Sequence, residues 1–401
     1  MTAFNTASFK TKTLIDPKKG PGSNLPVWPV AVDIGYSGVK MMCANQIACF
    51  PSYVVENIGT SIDDKIIGTL GKTAIAYRGS DGREFWVGQM AVDSLTQTGK
   101  ESDLNSTMYV RDRYSQESYH ILAEVGIAMA LQDNQYGNPG GKDIFVQTGL
   151  PPKYLTEDAP YIKEAFVGEH NFELRFGKNT EWKKYNFVIK ENNITVMSQP
   201  MGTLFSVVFD NNGGPSSYAQ KILQSDSLIF DPGFGTLDIF HVRGGVIADE
   251  PLTRNELGMR AVLQRCGENI KENRNLPKAV TIDQIQASLS TGIIKGADPA
   301  AVRRHMPADV EFTKELEDAN HEICNKAMQL LDEKYNYMST TDYLVVTGGT
   351  GCAWETQIRN YFGNLSSLKI LSGNVNDQSL PGIFSNVRGY YMSLISSLKR
   401  N

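Results

Sequence analysis

The five cysteines form no close Cys-x-x-Cys pair: Cys43, Cys49, Cys266, Cys324 and Cys352 are scattered and odd in number. That pattern fits the reduced thiols of a cytoplasmic protein better than a disulfide framework or zinc site. Histidine is scarce as well, and His120, His170, His241, His305 and His321 show neither metal-ligand spacing nor a Ser-His-Asp order, so structural or solvated roles suit them better than catalytic ones. No run approaches the ~18 consecutive apolar residues of a membrane span. Residues 1–26 carry lysines but no apolar core after them, unlike a secretory leader. Nor is there a surplus of positive charge. The 39 Lys and Arg against 44 Asp and Glu leave a net charge of −5, which argues against a chain that coats nucleic acid by itself.

What is present is an ordinary globular composition, 41% apolar and 21% charged, spread over 401 residues. A chain of that length divides into roughly two to three domains. The Pro, Gly, Ser and Lys of residues 1–26 read as a flexible arm. Order begins at "VWPVAVDIG", followed by alternating stretches at "IACFPSYVV" and "EFWVGQM". Tyr119, Leu122, Val125 and Met129 have helical spacing, and "NQYGNPGG" stops that helix. "KDIFVQTGLPP" reads as a buried strand, "NFELRFGKN" and "YNFVIKENNITVM" as half-buried ones, and "GTLFSVVFDNNGG" as a helix. "SLIFDPGFGTLDIFHVRGGVIADE" reads as a β-meander, and a largely helical stretch then runs to about Tyr335. "DYLVVTGGTGCAWE" is a strand, a glycine turn and a helix start. In the closing segment Phe384, Val387, Tyr391, Leu394 and Leu398 line one helical face.

Two stretches echo each other: "VAVDIGYSGVKMM" and "LIFDPGFGTLDIF" each place an acid at the end of an apolar strand, then glycines, then a second strand. In the first, Gly35 and Gly38 let backbone N–H groups approach an anion. Ser37 adds a hydroxyl, Lys40 a cation, and Asp33 a carboxylate able to hold Mg²⁺ through its waters. Alone, that turn reads equally well as an Asx-type hairpin with a solvated lysine. The second offers Asp231, Gly233, Phe234, Gly235 and Thr236, with Asp238 bracing its own turn. The third element, Gly348-Gly349-Thr350-Gly351 between a strand and a helix, brings amides and a positive dipole end, though without the dinucleotide-fold spacing. Gly71-Lys72-Thr73 is a decoy, because Ile66 stands where a P-loop requires glycine; it reads as a surface turn.

As an ordered set, Asp33-x-Gly-x-Ser-Gly-x-Lys40, Asp231-x-Gly-x-Gly-Thr-Leu-Asp238 and Gly348–Gly351 resemble the phosphate-1, phosphate-2 and adenosine motifs of the actin/Hsp70/sugar-kinase superfamily. Within it, "EFWVGQMAV", "DIFVQTGLPPKYL", "ITVMSQPMGTLF" and "FSNVRGYYMSL" are similar to the bacterial actin-like ATPases of plasmid segregation, the ParM/StbA type. The resemblance spans Val27 to the C-terminus. It implies an α/β, actin-like ATPase fold: two related domains with mixed sheets flanked by helices around a nucleotide cleft. Domain I would be residues 27–196 plus 375–401 and domain II residues 197–374. It further implies ATP or ADP with Mg²⁺ as ligands, GTP being the alternative. Asp33 and Asp231 become the metal-side acids, Asp231 also a catalytic residue, and Lys40 a phosphate contact. Gln199 is the residue that orients attacking water, its bland alternative being a helix-capping role. Tyr36 departs from the family by standing where a smaller residue is usual.

The function implied is a slow, polymerisation-coupled ATPase in the cytoplasm that forms homopolymeric filaments. It would segregate plasmid DNA through a ParR-like DNA-binding adaptor on a centromere-like site, with no direct contact to nucleic acid or membrane. A small-molecule kinase of the same superfamily and a cell-shape filament are the alternatives. A kinase would need an acid deep in a sugar cleft, for which the sequence offers no candidate.

Overall fold

Two sheets built on one plan form the body of the chain, in a computed structural model that describes residues 4–16, 21, 24–57, 73–98, 112–132, 139–177 and 181–400. The strands are β1 (Leu14–Asp16), β2 (Trp28–Ile34), β3 (Gly38–Cys43), β4 (Gln46–Pro51), β5 (Val54–Glu56), β6 (Ile75–Arg78), β7 (Glu84–Val87), β8 (Ile144–Leu150), β9 (Gly168–Phe176) and β10 (Lys183–Ile189). They continue with β11 (Ile194–Ser198), β12 (Asp226–Pro232), β13 (Leu237–Arg243), β14 (Val246–Ile247), β15 (Leu252–Arg254), β16 (Ile293–Ile294), β17 (Val310–Glu311), β18 (Tyr343–Val346) and β19 (Lys369–Ser372).

The first sheet runs β1-β4-β3-β2-β8-β11, and the second runs β14-β13-β12-β18-β19. In each, an antiparallel meander (β2-β3-β4, β12-β13-β14) is extended on its other side by two parallel strands. The repeated turn is thus part of a repeated sheet. Asp33 pairs with Lys40 across the first hairpin, and Asp231 pairs with Asp238 across the second. The first lobe also carries an antiparallel sheet of order β10-β9-β6-β7-β5.

Strict alternation explains why these strands are apolar on both faces, as sheets covered on two sides require. In β2, Trp28, Val30, Val32 and Ile34 enter a core with Tyr119, Leu122 and Val125 of the helix Glu117–Ala130. Ala31 faces the other way, toward Phe384, Val387 and Tyr391 of the closing segment and its helix Ser385–Leu398. In β12, Leu228 and Phe230 join the core of the helices Met259–Arg274 and Thr313–Lys334. Ile229 faces Leu204, Val207 and Val208 of the connecting helix Gln199–Val208. Asp33 and Asp231 occupy the next positions on the faces of Ala31 and Ile229, and both are buried.

The connecting and closing helices cross backbone to backbone. A Cβ built on Gly389 would lie 1.6 Å from the carbonyl oxygen of Gly202, and one on Gly202 would strike the Tyr390 ring at 2.4 Å. Beside the crossing, the buried Arg388 donates to the carbonyl oxygens of Ser206 and Phe209 and to Asn211 Oδ1. It thereby supplies donors to carbonyls that the end of the connecting helix leaves open. Burial among neutral partners pulls its pKa down to about 10.

The start of the chain departs from its reading as a flexible arm. Leu14–Asp16 pair with β4, Thr6 is buried with its hydroxyl donating to Leu289 O, and Phe4 and Phe9 pack on the second lobe's core. Apolar residues spaced among polar ones are enough to dock such a segment, which composition alone does not reveal. The helix over Tyr119–Met129 ends at Ala130, while the stop assigned to "NQYGNPGG" falls mainly on residues 133–138, outside the described ones. Gly71 and Lys72 of the decoy also lie outside them.

Gly389→Ala is expected to destabilise the chain by about 3 kcal/mol or more, because neither backbone at the crossing can give way. Denaturant unfolding checks this, and a wild-type midpoint would show that the helices separate freely.

Candidate functional site

Both glycine turns open onto one cleft of about 380 Å³ between the lobes. Asp33, Gly35, Tyr36, Ser37, Gly38 and Lys40 line it from the first sheet, and Asp231, Gly233, Phe234, Gly235, Thr236 and Asp238 from the second. Gln199, Gly348, Gly349 and Thr350 complete the set that the sequence singles out. Gly351 is not in the lining; it is buried one step behind, close to Val346 and Pro232.

The first turn closes on itself, Gly35 N–H donating to Gly38 O at 3.1 Å, and Ser52 Oγ donates to Gly35 O at 2.8 Å. The second closes the same way, Gly233 N–H to Thr236 O at 2.7 Å. Those two amides therefore shape their turns and are not the ones an anion would meet. The second turn is also held from outside. Met259 and Arg260 at the start of their helix donate to Gly233 O and Phe234 O, and Thr350 Oγ1 donates to Gly233 O at 2.7 Å. Gly348 opens its helix with φ +78°, and a Cβ there would lie 2.7 Å from Asp231 Oδ1, so only glycine suits the position. Asp238 accepts from Thr236 at 2.9 Å and Thr253 at 2.6 Å, the bracing role its place in the hairpin implies.

The two outer acids are held crosswise. Gln199, first residue of the connecting helix, donates from Nε2 to Asp33 Oδ1 at 3.2 Å, and Lys40 Nζ lies 3.2 Å from Asp33 Oδ2. Asn386, in the first turn of the closing helix, donates to Asp231 Oδ2 at 2.7 Å and accepts from Thr203 Oγ1. Each carboxylate thus sits at a helix N-terminus, where the dipole favours negative charge. Gln199 makes no capping bond; its side chain goes to Asp33.

Electrostatics in the cleft are strained by burial. Desolvation pushes Asp231 up to about 6 against the Asn386 bond, with the nearby Asp33 charge adding to the rise. Desolvation also lifts Asp238 to about 7 despite the two threonine donors. Burial works against the Lys40 ammonium, yet the adjoining Asp33 outweighs it and holds Lys40 above its ordinary value. Asp33 and Asp231, two carboxylates lining one cleft, are also candidate partners of a divalent cation. Among the described residues no cluster of three or more His, Cys, Asp and Glu could ligate a metal. Two carboxylates beside an anion site nevertheless fit Mg²⁺, which keeps most of its waters and shares phosphate oxygens.

The sequence reading missed Asn386, Arg113 and the segment Ser8–Lys12, all of which line the cleft. Asn386 was hidden because the closing helix was read for its apolar face alone. Arg113 follows a stretch with no periodic pattern, so nothing local marks it.

Asp231 and Asp238 bind protons more tightly folded than unfolded. The stability this confers is whole below about pH 4 and is lost as pH rises through about 6 and about 7. The melting temperature of the ligand-free protein should accordingly fall from about pH 4 to about pH 7 and level off above it, with Asp231 accounting for about 3 kcal/mol between about pH 4 and about pH 6. Asp231→Asn should flatten that fall, and an unchanged slope would refute the assignment.

Comparison with known proteins agrees with this architecture. Residues 31–202 match the family model for the N-terminal domain of actin-like proteins. No curated protein matches the chain in sequence. Among solved structures, the subunit of a 15-stranded ParM filament from Clostridium botulinum is 18% identical with a TM-score of 0.67, the match covering 94% of this chain and 99% of that one. A non-polymerisable quadruple mutant of pCBH ParM is 17% identical (TM-score 0.65, 91% and 98% covered). An archaeal actin homolog is 13% identical (TM-score 0.61, 94% and 100% covered). The chain therefore has the actin-like fold, and its residues 31–202 match the model of the actin-like proteins' N-terminal domain.

Proposed function

We propose that the chain binds a nucleoside triphosphate with Mg²⁺ in the interlobe cleft, hydrolyses it slowly, and assembles into filaments in a nucleotide-dependent manner. One observation carries this reading. Two equivalent hairpins from equivalent sheets present an acid each to the same cleft, with Lys40 and Gln199 both on Asp33. A phosphate chain between them would be gripped from both sides, so its length would set the angle between the lobes.

In this reading Asp33 and Asp231 hold the metal side of the phosphates, and Lys40 neutralises a phosphate oxygen. The turns Gly35–Gly38 and Gly233–Thr236 contact the phosphates, and Gly348–Thr350 backs the nucleoside end. A magnesium ion held on the side of Asp33 and Asp231 would offset the charge that builds up during phosphoryl transfer. Gln199 donates its amide N–H to Asp33, which leaves its amide oxygen to accept a hydrogen bond from water. A glutamine orients water but is a poor base, so turnover is slow. Filament formation draws support from relatives of the same fold, among them the ParM filament, and each cleft angle would carry its own self-affinity. Plasmid segregation through a DNA-binding adaptor on a centromere-like site is the finer proposal, in line with the net charge of −5. Among the described residues, no helix is long and apolar enough to cross a membrane.

Pelleting and phosphate release, followed side by side with ATP, GTP and ADP, test the reading. Assembly should require triphosphate and decay as phosphate appears. Phosphate release only on adding a sugar would favour a kinase instead. Asp231→Ala should reduce turnover at least ~100-fold. Gln199→Ala should slow it roughly 10- to 100-fold and leave longer-lived polymers. Wild-type turnover in Gln199→Ala would remove that residue from the mechanism.

A further inference from the structure

Arg113 is 3% exposed, and its guanidinium carbon lies 4.1 Å from the centroid of the Tyr36 ring, 5.0 Å from that of Tyr114 and 5.8 Å from that of Tyr119. Among the described residues its Nε and Nη1 have no hydrogen-bond partner. The groups that act on its charge after burial are those three tyrosines, Tyr114 through a side-chain hydrogen bond as well, and no carboxylate of the described residues is among them. Buried guanidinium groups are ordinarily paired, because desolvating a charge without a counter-ion is costly. Aromatic faces attract a cation but do not satisfy its N–H donors.

This side chain, without a carboxylate partner among the described residues, lines the cleft together with the residues of the first glycine turn. Tyr36, on which it stacks, is in turn pressed against the second turn, since a Cβ on Gly235 would lie 2.5 Å from the Tyr36 ring. Gly348, which backs the nucleoside end in the proposed reading, adjoins Asp231 and Pro232, whereas Arg113 adjoins Tyr36 of the first turn.

We infer that Arg113 is a phosphate-binding residue that pairs with the terminal phosphate of a bound nucleoside triphosphate and so distinguishes triphosphate from diphosphate. The inference rests on the nucleotide-binding reading above. Arginine suits the task because its planar fork meets two phosphate oxygens at once. Its stacking on Tyr36 would pass the presence of that phosphate to the second lobe through Gly235. A tyrosine in place of a smaller residue then has a use, as the platform that holds the guanidinium without neutralising it.

Titration calorimetry with Mg²⁺ and either ADP or the slowly hydrolysed analogue adenylyl imidodiphosphate, alongside their guanine counterparts, tests this. Wild type should bind the triphosphate analogue more tightly than the diphosphate. Arg113→Gln should weaken analogue binding about ten- to a hundredfold while leaving diphosphate binding within about twofold, and Arg113→Lys should recover part of the loss. Equal losses for both ligands, or none, would make Arg113 a packing residue and overturn the inference while leaving nucleotide binding intact. If wild type binds neither ligand, the nucleotide reading itself fails and takes the inference with it. A structure of wild type with the analogue gives an answer that depends on no variant. Guanidinium nitrogens about 3 Å from terminal phosphate oxygens support the inference, and a guanidinium still stacked away from them overturns it.

Discussion

The crossing of two helices at Gly202 and Gly389 is the constraint on which the rest of this structure depends. Each helix packs along one sheet and delivers its N-terminal amide side chain to the acid of the other. The connecting helix covers the second sheet, yet its Gln199 reaches Asp33. The closing helix covers the first sheet, yet its Asn386 reaches Asp231. Since the backbones touch at the crossing, a rotation of one lobe against the other must change both amide contacts together. Arg388 ties the far end of the connecting helix to the closing one, so the pair behaves as a unit.

That arrangement explains how a cleft with so much buried carboxylate persists. Burial raises the cost of charge on Asp231 and Asp238, and the fold answers with nearby dipoles: the Asn386 amide and its helix N-terminus for Asp231, and two threonine hydroxyls for Asp238. Lys40 is spent on Asp33, and Arg113 is kept back among aromatic rings. Such a site is poised for a ligand that is itself highly charged and brings its own counter-ion. The docked segment Phe4–Asp16 adds a further tie, anchored on the second lobe by Thr6 and on the first sheet by Leu14–Asp16.

Much of this was legible in the sequence, because the glycine turns are local objects. An acid, glycines and a hydroxyl at fixed spacing between two apolar strands read the same in any context, and their repetition pointed to two equivalent sheets. The meander over β12–β14, the helix after the Gly348 turn and the apolar face of the closing helix could be read for the same reason: periodicity reports which side of an element is covered. It does not report what covers it. Asn386 and Arg113 lie far in sequence from the turns they serve, and the docking of the first residues turns on a few apolar side chains in a polar stretch.

The sequence by itself determined the paired hairpins, their acids and glycines, and the resemblance to the actin-like fold that their order carries, since each depends only on neighbours within a few residues. Tertiary structure alone decided which amides face each carboxylate, that Gly35 and Gly233 use their N–H groups internally, and that a buried arginine stacks on Tyr36. Those outcomes follow from how two helices and two sheets exclude water from one cleft. Desolvation is a property of the assembled molecule and of no segment within it.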